Sequence, residues 1–119
     1  MMSEVDYKAF LKHAKENTSR LQKQTKGVGA DYFKLHTDAM ADGALSKKDK
    51  ELMSLAIAIS TRCEGCIVSH LADAKDSGAT IDEVVETVNI AIMMSGGPAI
   101  VYGGKALEAA EQYYGVDLK

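Results

Sequence analysis

The chain has 119 residues, 46% of them hydrophobic and 26% charged, a length and balance that fit one domain spanning residues 1–119 and argue against disorder, a fibrous repeat or a disulfide-stapled mini-protein. Aromatic residues make up only 6%, Trp is absent and there is a single Pro, so Ala, Leu, Ile, Val and Met must fill the interior and long stretches are free to be helical. The formal net charge of −3 supplies no uniform positive field for a phosphate backbone and disfavours nucleic acid as a partner.

The opening Met1-Met2-Ser3-Glu4 is too polar for a secretory h-region, and no apolar run approaches the ~18 residues of a membrane span. A soluble, cytoplasmic protein without a membrane partner is expected. A first helix is predicted from about Glu4 to Gln24, with Val5, Phe10, Ala14 and Leu21 on its apolar face and Gly27 and Gly29 ending it. Lys8, Lys12, Lys15, Arg20, Lys23 and Lys26 gather in this segment, but Glu4, Asp6 and Glu16 are interleaved with them, the pattern of a solvated face. A second, short helix near Ala30 to Met40 carries Tyr32, Phe33 and Leu35 and stops at Gly43.

Ser46, with Asp49 three residues on, marks the start of a third helix in the manner of a capping box. The interior of that helix, Leu52 to Ile59, is apolar on nearly every face, which predicts burial by several neighbours or by another subunit. Polar Ser60-Thr61-Arg62 interrupts the run, and Cys63 to Ser77 reads as a fourth helix ended by Gly78. Thr80 and Glu83 form a second capping box, opening a fifth helix with an Ile81, Val84, Val85, Val88, Ile92 stripe. After Ser95-Gly96-Gly97, Pro98 begins a last helix that reaches about Tyr114. The whole reads as an all-α fold of about six helices.

Both cysteines, Cys63 and Cys66, lie in the fourth helix. In a reducing compartment such a pair reads as redox or metal chemistry rather than as a structural staple. Each helical residue advances ~100°, so Cys63, Cys66 and His70 share a stripe about 60° wide. Three residues of helix separate Cα atoms by roughly 5–5.5 Å, a span a disulfide tolerates. The helix start and Arg62 favour a thiolate near Cys63, Glu64 opposes it, and His70 is one turn from Cys66, placed to take its proton. Glu51 would lie ~18 Å from Cys63 along one straight helix. A reversal at residues 60–62 instead returns it to the level of His70, as a partly desolvated carboxylate suited to base chemistry.

Glu51, eleven intervening residues, Cys63-Glu64-Gly65-Cys66, three more and His70 give the pattern E-x11-C-x2-C-x3-H. In this the chain resembles the alkylhydroperoxidase D-like proteins of the carboxymuconolactone decarboxylase superfamily, over about residues 30–110. The resemblance implies an all-helical fold assembled as a trimer or hexamer, with the dithiol near a subunit interface, and thiol-dependent reduction of hydroperoxides. It implies Cys66 as the thiol that attacks peroxide, Cys63 as the resolving thiol, and Glu51 with His70 as the proton relay. A lipoyl-bearing or thioredoxin-like dithiol protein would reduce the disulfide. The Glu64-Gly65 pair departs from better-known peroxidases, which often carry His or an aromatic there.

Other readings stand beside this one. The same four side chains are acceptable zinc ligands, but three on one short helix are awkward for a tetrahedron and there is no second C-x-x-C; no metal and no cofactor are expected. A decarboxylase of the same superfamily has no evident use for two thiols, and a non-catalytic redox sensor or binding protein is a further alternative. His13 and His36 read as surface or packing residues, Met93 and Met94 most simply as core, and the glycines at 96, 97, 103 and 104 as turn or close-approach positions rather than a phosphate loop.

Overall fold

The computed structural model describes residues 5–119, and every regular element in them is a helix: α1 (Tyr7–Thr25), α2 (Gly27–Met40), α3 (Lys47–Ser60), α4 (Glu64–Asp76), α5 (Ile81–Ser95) and α6 (Gly97–Tyr114). The predicted start of the first helix at Glu4 lies outside the described residues. Asp6 caps α1 instead, its carboxylate accepting from the Ala9 N–H at 3.0 Å.

Four helices make the centre. α3 packs on α4, α5 and α6, while α6 packs on α4 and α5. Between them lie Leu55, Ile59, Ile67, Leu71, Val84, Ala99, Ala106 and Ala109, all buried. Alanine dominates the inner face of α6 and Gly103 interrupts it. A Cβ at Gly103 would stand 2.9 Å from Val88 Cγ1, so the absence of a side chain there sets how closely α5 and α6 approach. Gly104 faces open space.

α1 lies across α4 and α6. The face it buries is Tyr7 and Leu11, with Phe10 partly covered, whereas Val5 and Leu21 are exposed. The buried face therefore keeps Phe10 and Ala14 of the predicted stripe but adds Tyr7 and Leu11 in place of Val5 and Leu21, because Tyr7 turns inward. Its hydroxyl donates to Glu108 Oε1 at 2.8 Å and its backbone N–H to Gln112 Oε1 at 2.8 Å. Burial, and then the hydrogen bond to Glu108, push the Tyr7 phenol above its ordinary range. α2 begins earlier than predicted. The break between α1 and α2 falls at Lys26, at φ 51°, and both Gly27 and Gly29 are helical. Gly29 serves packing rather than termination, since a Cβ there would meet Thr25 Oγ1 at 2.5 Å.

The predicted caps at Ser46 and Thr80 form. Ser46 accepts from the Asp49 N–H at 3.1 Å, and Thr80 and Glu83 bond reciprocally at 3.1 and 2.8 Å. Gly78, at φ 94°, closes α4 in a Schellman motif with Gly78 N–H to Lys75 O and Ala79 N–H to Ala74 O. Met93 and Met94 are not core: they are 67% and 73% exposed, because the inward stripe of α5 is Val84, Val88 and Ala91. No described helix is long and apolar enough to cross a membrane.

Replacing Gly103 with Leu should destabilise the protein by about 1–3 kcal/mol through overpacking against Val88. The urea midpoint should recover in Gly103→Leu/Val88→Ala, giving a double-mutant coupling of opposite sign to the single losses. Additive losses would show that the close approach at this crossing is not what limits stability.

Candidate active site

The site is built by the reversal between α3 and α4. At the end of α3 the Arg62 N–H donates to Ile59 O and the Cys63 N–H to Ala58 O, at 3.2 and 3.1 Å. This is a second Schellman motif, with Arg62 at φ 59° in the left-handed position that glycine usually fills. Cys63 then caps α4, its Sγ accepting from the Cys66 N–H at 3.3 Å. The predicted fourth helix thus starts one residue later, and the first cysteine stands at its mouth.

The two sulfurs are joined in a disulfide with a Cα–Cα separation of 5.2 Å. Cys63 is half-buried and Cys66 exposed. The difference follows from helix geometry, since the capping residue tucks its side chain over the first turn whereas Cys66 projects from it.

With the chain reversed, α3 runs antiparallel to α4 and Glu51 meets His70. Oε1 of Glu51 lies 2.7 Å from Nδ1 of His70, and Oε2 lies 3.2 Å from Nζ of Lys47 on the same helix. Glu51 is 1% exposed and stands among the largest fully buried side chains. A buried carboxylate needs partners, and this one has an ammonium on one oxygen and an imidazole on the other. Facing a carboxylate acceptor, Nδ1 is the donor, and in the neutral ring that leaves the lone pair on Nε2.

Cys63, Cys66, Ser69 and His70 from the α4 side line one cleft of about 480 Å³. The opposite wall comes from α1, through Leu11, Ala14, Lys15, Thr18, Ser19 and Gln22, and from α2, through Tyr32, Phe33 and His36. That volume suits a small organic molecule. Glu51 does not line it. It stands behind the ring, where it acts on the cleft only through His70.

Two neighbours of the site are not assigned to it by the sequence pattern. His36 of α2 stacks on His70 with ring centroids 5.8 Å apart and planes 22° from parallel; it is a packing histidine, and nothing in the local pattern points across to α4. Asp73 was legible in principle, because residues 66, 70 and 73 follow the i, i+4, i+7 rule on one face. Burial, and then the negative charge of Glu51, hold its carboxyl above the usual range. His13 is exposed and away from the cleft.

Among the described residues, Glu51, His70 and Asp73 form the one group whose potential ligand atoms converge, within 4.8 Å of one another. The donor set does not suit a metal as it stands: Nδ1 already faces Glu51 and the Lys47 ammonium occupies the remaining oxygen. The cysteines are not part of this group.

A family model for the carboxymuconolactone decarboxylase family matches residues 27–112. The chain belongs to that family. An uncharacterized Haemophilus influenzae protein is 36% identical over 104 residues, 87% of this chain and 92% of the relative. An uncharacterized Paracoccus denitrificans protein from the cox locus is 34% identical over 84 residues, 71% and 76% of the two chains. Among solved structures, a carboxymuconolactone decarboxylase family protein of Legionella pneumophila superposes with a TM-score of 0.85 at 34% identity, covering 90% of this chain and 96% of its own. A family protein of Thermotoga maritima, for which a part in an antioxidative response has been suggested, gives 0.81 at 26% identity, covering 88% and 90%. The family implied by the E-x11-C-x2-C-x3-H pattern is the family found, and the fold is the all-helical one expected for it.

Proposed function

We propose that this family member is a thiol-dependent peroxidase, an oxidoreductase that reduces hydroperoxides through the Cys63/Cys66 dithiol with Glu51 and His70 as its proton relay. One observation carries the reading. An exposed cysteine, its half-buried partner and an imidazole line a single cleft, and the imidazole is oriented from behind by a buried carboxylate.

The steps follow from the chemistry of those groups. In the reduced protein, Nε2 of His70 takes the Cys66 proton and Glu51 holds the resulting imidazolium. The Cys66 thiolate attacks the terminal oxygen of the hydroperoxide, the O–O bond breaks, and the alkoxide leaves as an alcohol with the proton from His70. Cys66 is now a sulfenic acid. The Cys63 thiol attacks its sulfur, water leaves, and the disulfide forms across a 5.2 Å Cα–Cα separation without unwinding the helix. A dithiol protein, lipoyl-bearing or thioredoxin-like, then exchanges with the disulfide and restores both thiols. Accessibility supports this division of roles, since Cys66 is exposed to a substrate and Cys63 is half-buried beside it.

The chain works as a homo-oligomer in this reading, a trimer or hexamer. Met53 and Ile57 on α3, Ile90 and Met93 on α5, and Ile100 and Val101 on α6 are all about half or more exposed. They lie on helices packed side by side. An apolar surface of this kind calls for a partner, and a second copy of the chain supplies the same chemistry in closed symmetry.

With a hydroperoxide and a dithiol donor, the wild type should turn over. Cys66→Ser should lose at least about 100-fold, and Cys63→Ser should consume roughly one equivalent and stop at the sulfenic acid. Equal turnover in all three proteins would point away from dithiol chemistry and toward the decarboxylase reading, and no turnover in any would favour a sensor or binding role. In sedimentation, wild type should exceed the monomer mass and Ile57→Lys/Met93→Lys should fall toward it; a monomeric wild type would contradict the assembly.

A further inference from the structure

Asp73 lies on α4 one turn beyond His70, outside the cysteine motif yet against its relay. A carboxylate oxygen of Asp73, one of Glu51 and a ring nitrogen of His70 are all within 4.8 Å of one another. We propose that Asp73 is a positioning residue of the relay, a second carboxylate that stabilises the imidazolium formed when His70 takes the proton of Cys66. The inference rests on the reading above that His70 is the base for Cys66.

Glu51 alone leaves room for such a group. One of its oxygens faces His70, but the other is engaged by the Lys47 ammonium at 3.2 Å, so part of its charge is already neutralised when the ring becomes positive. Asp73 supplies a further negative charge from the imidazole's own helix. The groups that face it are Glu51 and Lys47 from α3, Lys15 from α1 and His70 from α4. The phenol of Tyr113 on α6 feels its charge, and His36 of α2 lies against the His70 ring.

These neighbours make Asp73 responsive to the ring. Burial and Glu51 favour its protonated form, whereas Lys47, Lys15 and a charged His70 favour the anion. A charged ring therefore favours the Asp73 anion, which then faces the imidazolium. In the transfer itself the S–H bond of Cys66 breaks and an N–H bond forms at Nε2. The new positive charge then forms within 4.8 Å of both the Glu51 and the Asp73 carboxylates.

The test uses the full-length reduced protein with two readouts, the NMR titration of the His70 ring and the pH profile of Cys66 alkylation by iodoacetamide. Asp73→Asn should lower the ring's midpoint by about 1 pH unit, the size expected for a unit charge about 5 Å away, and should move the Cys66 profile to higher pH. Asp73→Glu, which keeps the charge, should restore most of both. The sign separates this role from a direct one, because losing a negative charge that acted on the sulfur itself, across roughly 10 Å of helix, would move the Cys66 profile to lower pH. In a His70→Ala background the upward shift should vanish. The proposal is overturned by an unmoved ring midpoint in Asp73→Asn, by Asp73→Glu behaving like Asp73→Asn, or by a Cys66 profile that moves down. If His70→Ala alone leaves the Cys66 profile in place, the relay fails and Asp73's part in it fails too, while the ring midpoint tells which of the two ideas was at fault.

Discussion

A carboxylate buried to 1% exposure between an ammonium and an imidazole is the constraint around which this molecule is arranged. Glu51 can occupy the interior only because Lys47 and His70 take its two oxygens, at 3.2 and 2.7 Å. Charge in a low-dielectric setting demands such partners. His70 can serve only if α4 runs back along α3, and the reversal at residues 61–63 provides that. The same turn leaves Cys63 as the helix cap and Cys66 on the open side of the first turn. One electrostatic requirement, met by one backbone motif, therefore brings the two cysteines, the imidazole and the buried carboxylate together.

The rest of the fold supports this pairing from both sides. Behind it, Leu55 and Ile59 of α3 and Ile67 and Leu71 of α4 form a core without an exposed edge. This fixes the sliding of one helix past the other, and so the distance from Glu51 to His70. In front, α1 and α2 close the cleft with polar groups from one helix and two aromatic rings and an imidazole from the other. Such a mixture of apolar and polar lining is common in ligand clefts. The cleft is thus a feature of the N-terminal pair of helices as much as of the cysteine helix.

Much of this was legible in the sequence, for reasons that can be stated. Ser46, Thr80 and Gly78 are residues whose local chemistry decides a helix end without help from tertiary structure, and each does so here. The spacing of residues 51, 63, 66 and 70, together with the polar break at residues 60–62, carried both the family and the convergence of Glu51 with His70. What was hidden is long-range. The stripe of α1 is decided by Tyr7 finding Glu108, a partner 101 positions away that no window reveals. His36 meets His70 only because α2 lies across the cleft from α4. Met93 and Met94 have a core-like composition, but helical phase turns them outward. Asp73 has the right helical phase, but the motif ends at His70 and gives no sign of it.

The central claim, that His70 backed by Glu51 removes the proton from Cys66, is tested most directly by single-turnover oxidation of the reduced protein. A hydroperoxide is mixed with wild type and with His70→Ala across the pH range, and formation of the Cys63–Cys66 disulfide is followed by mass spectrometry. At neutral pH, His70→Ala should be slower by about 100-fold or more, the scale of general-base assistance, and the two rates should converge at high pH, where the thiolate forms unaided. Equal rates at neutral pH would contradict the relay.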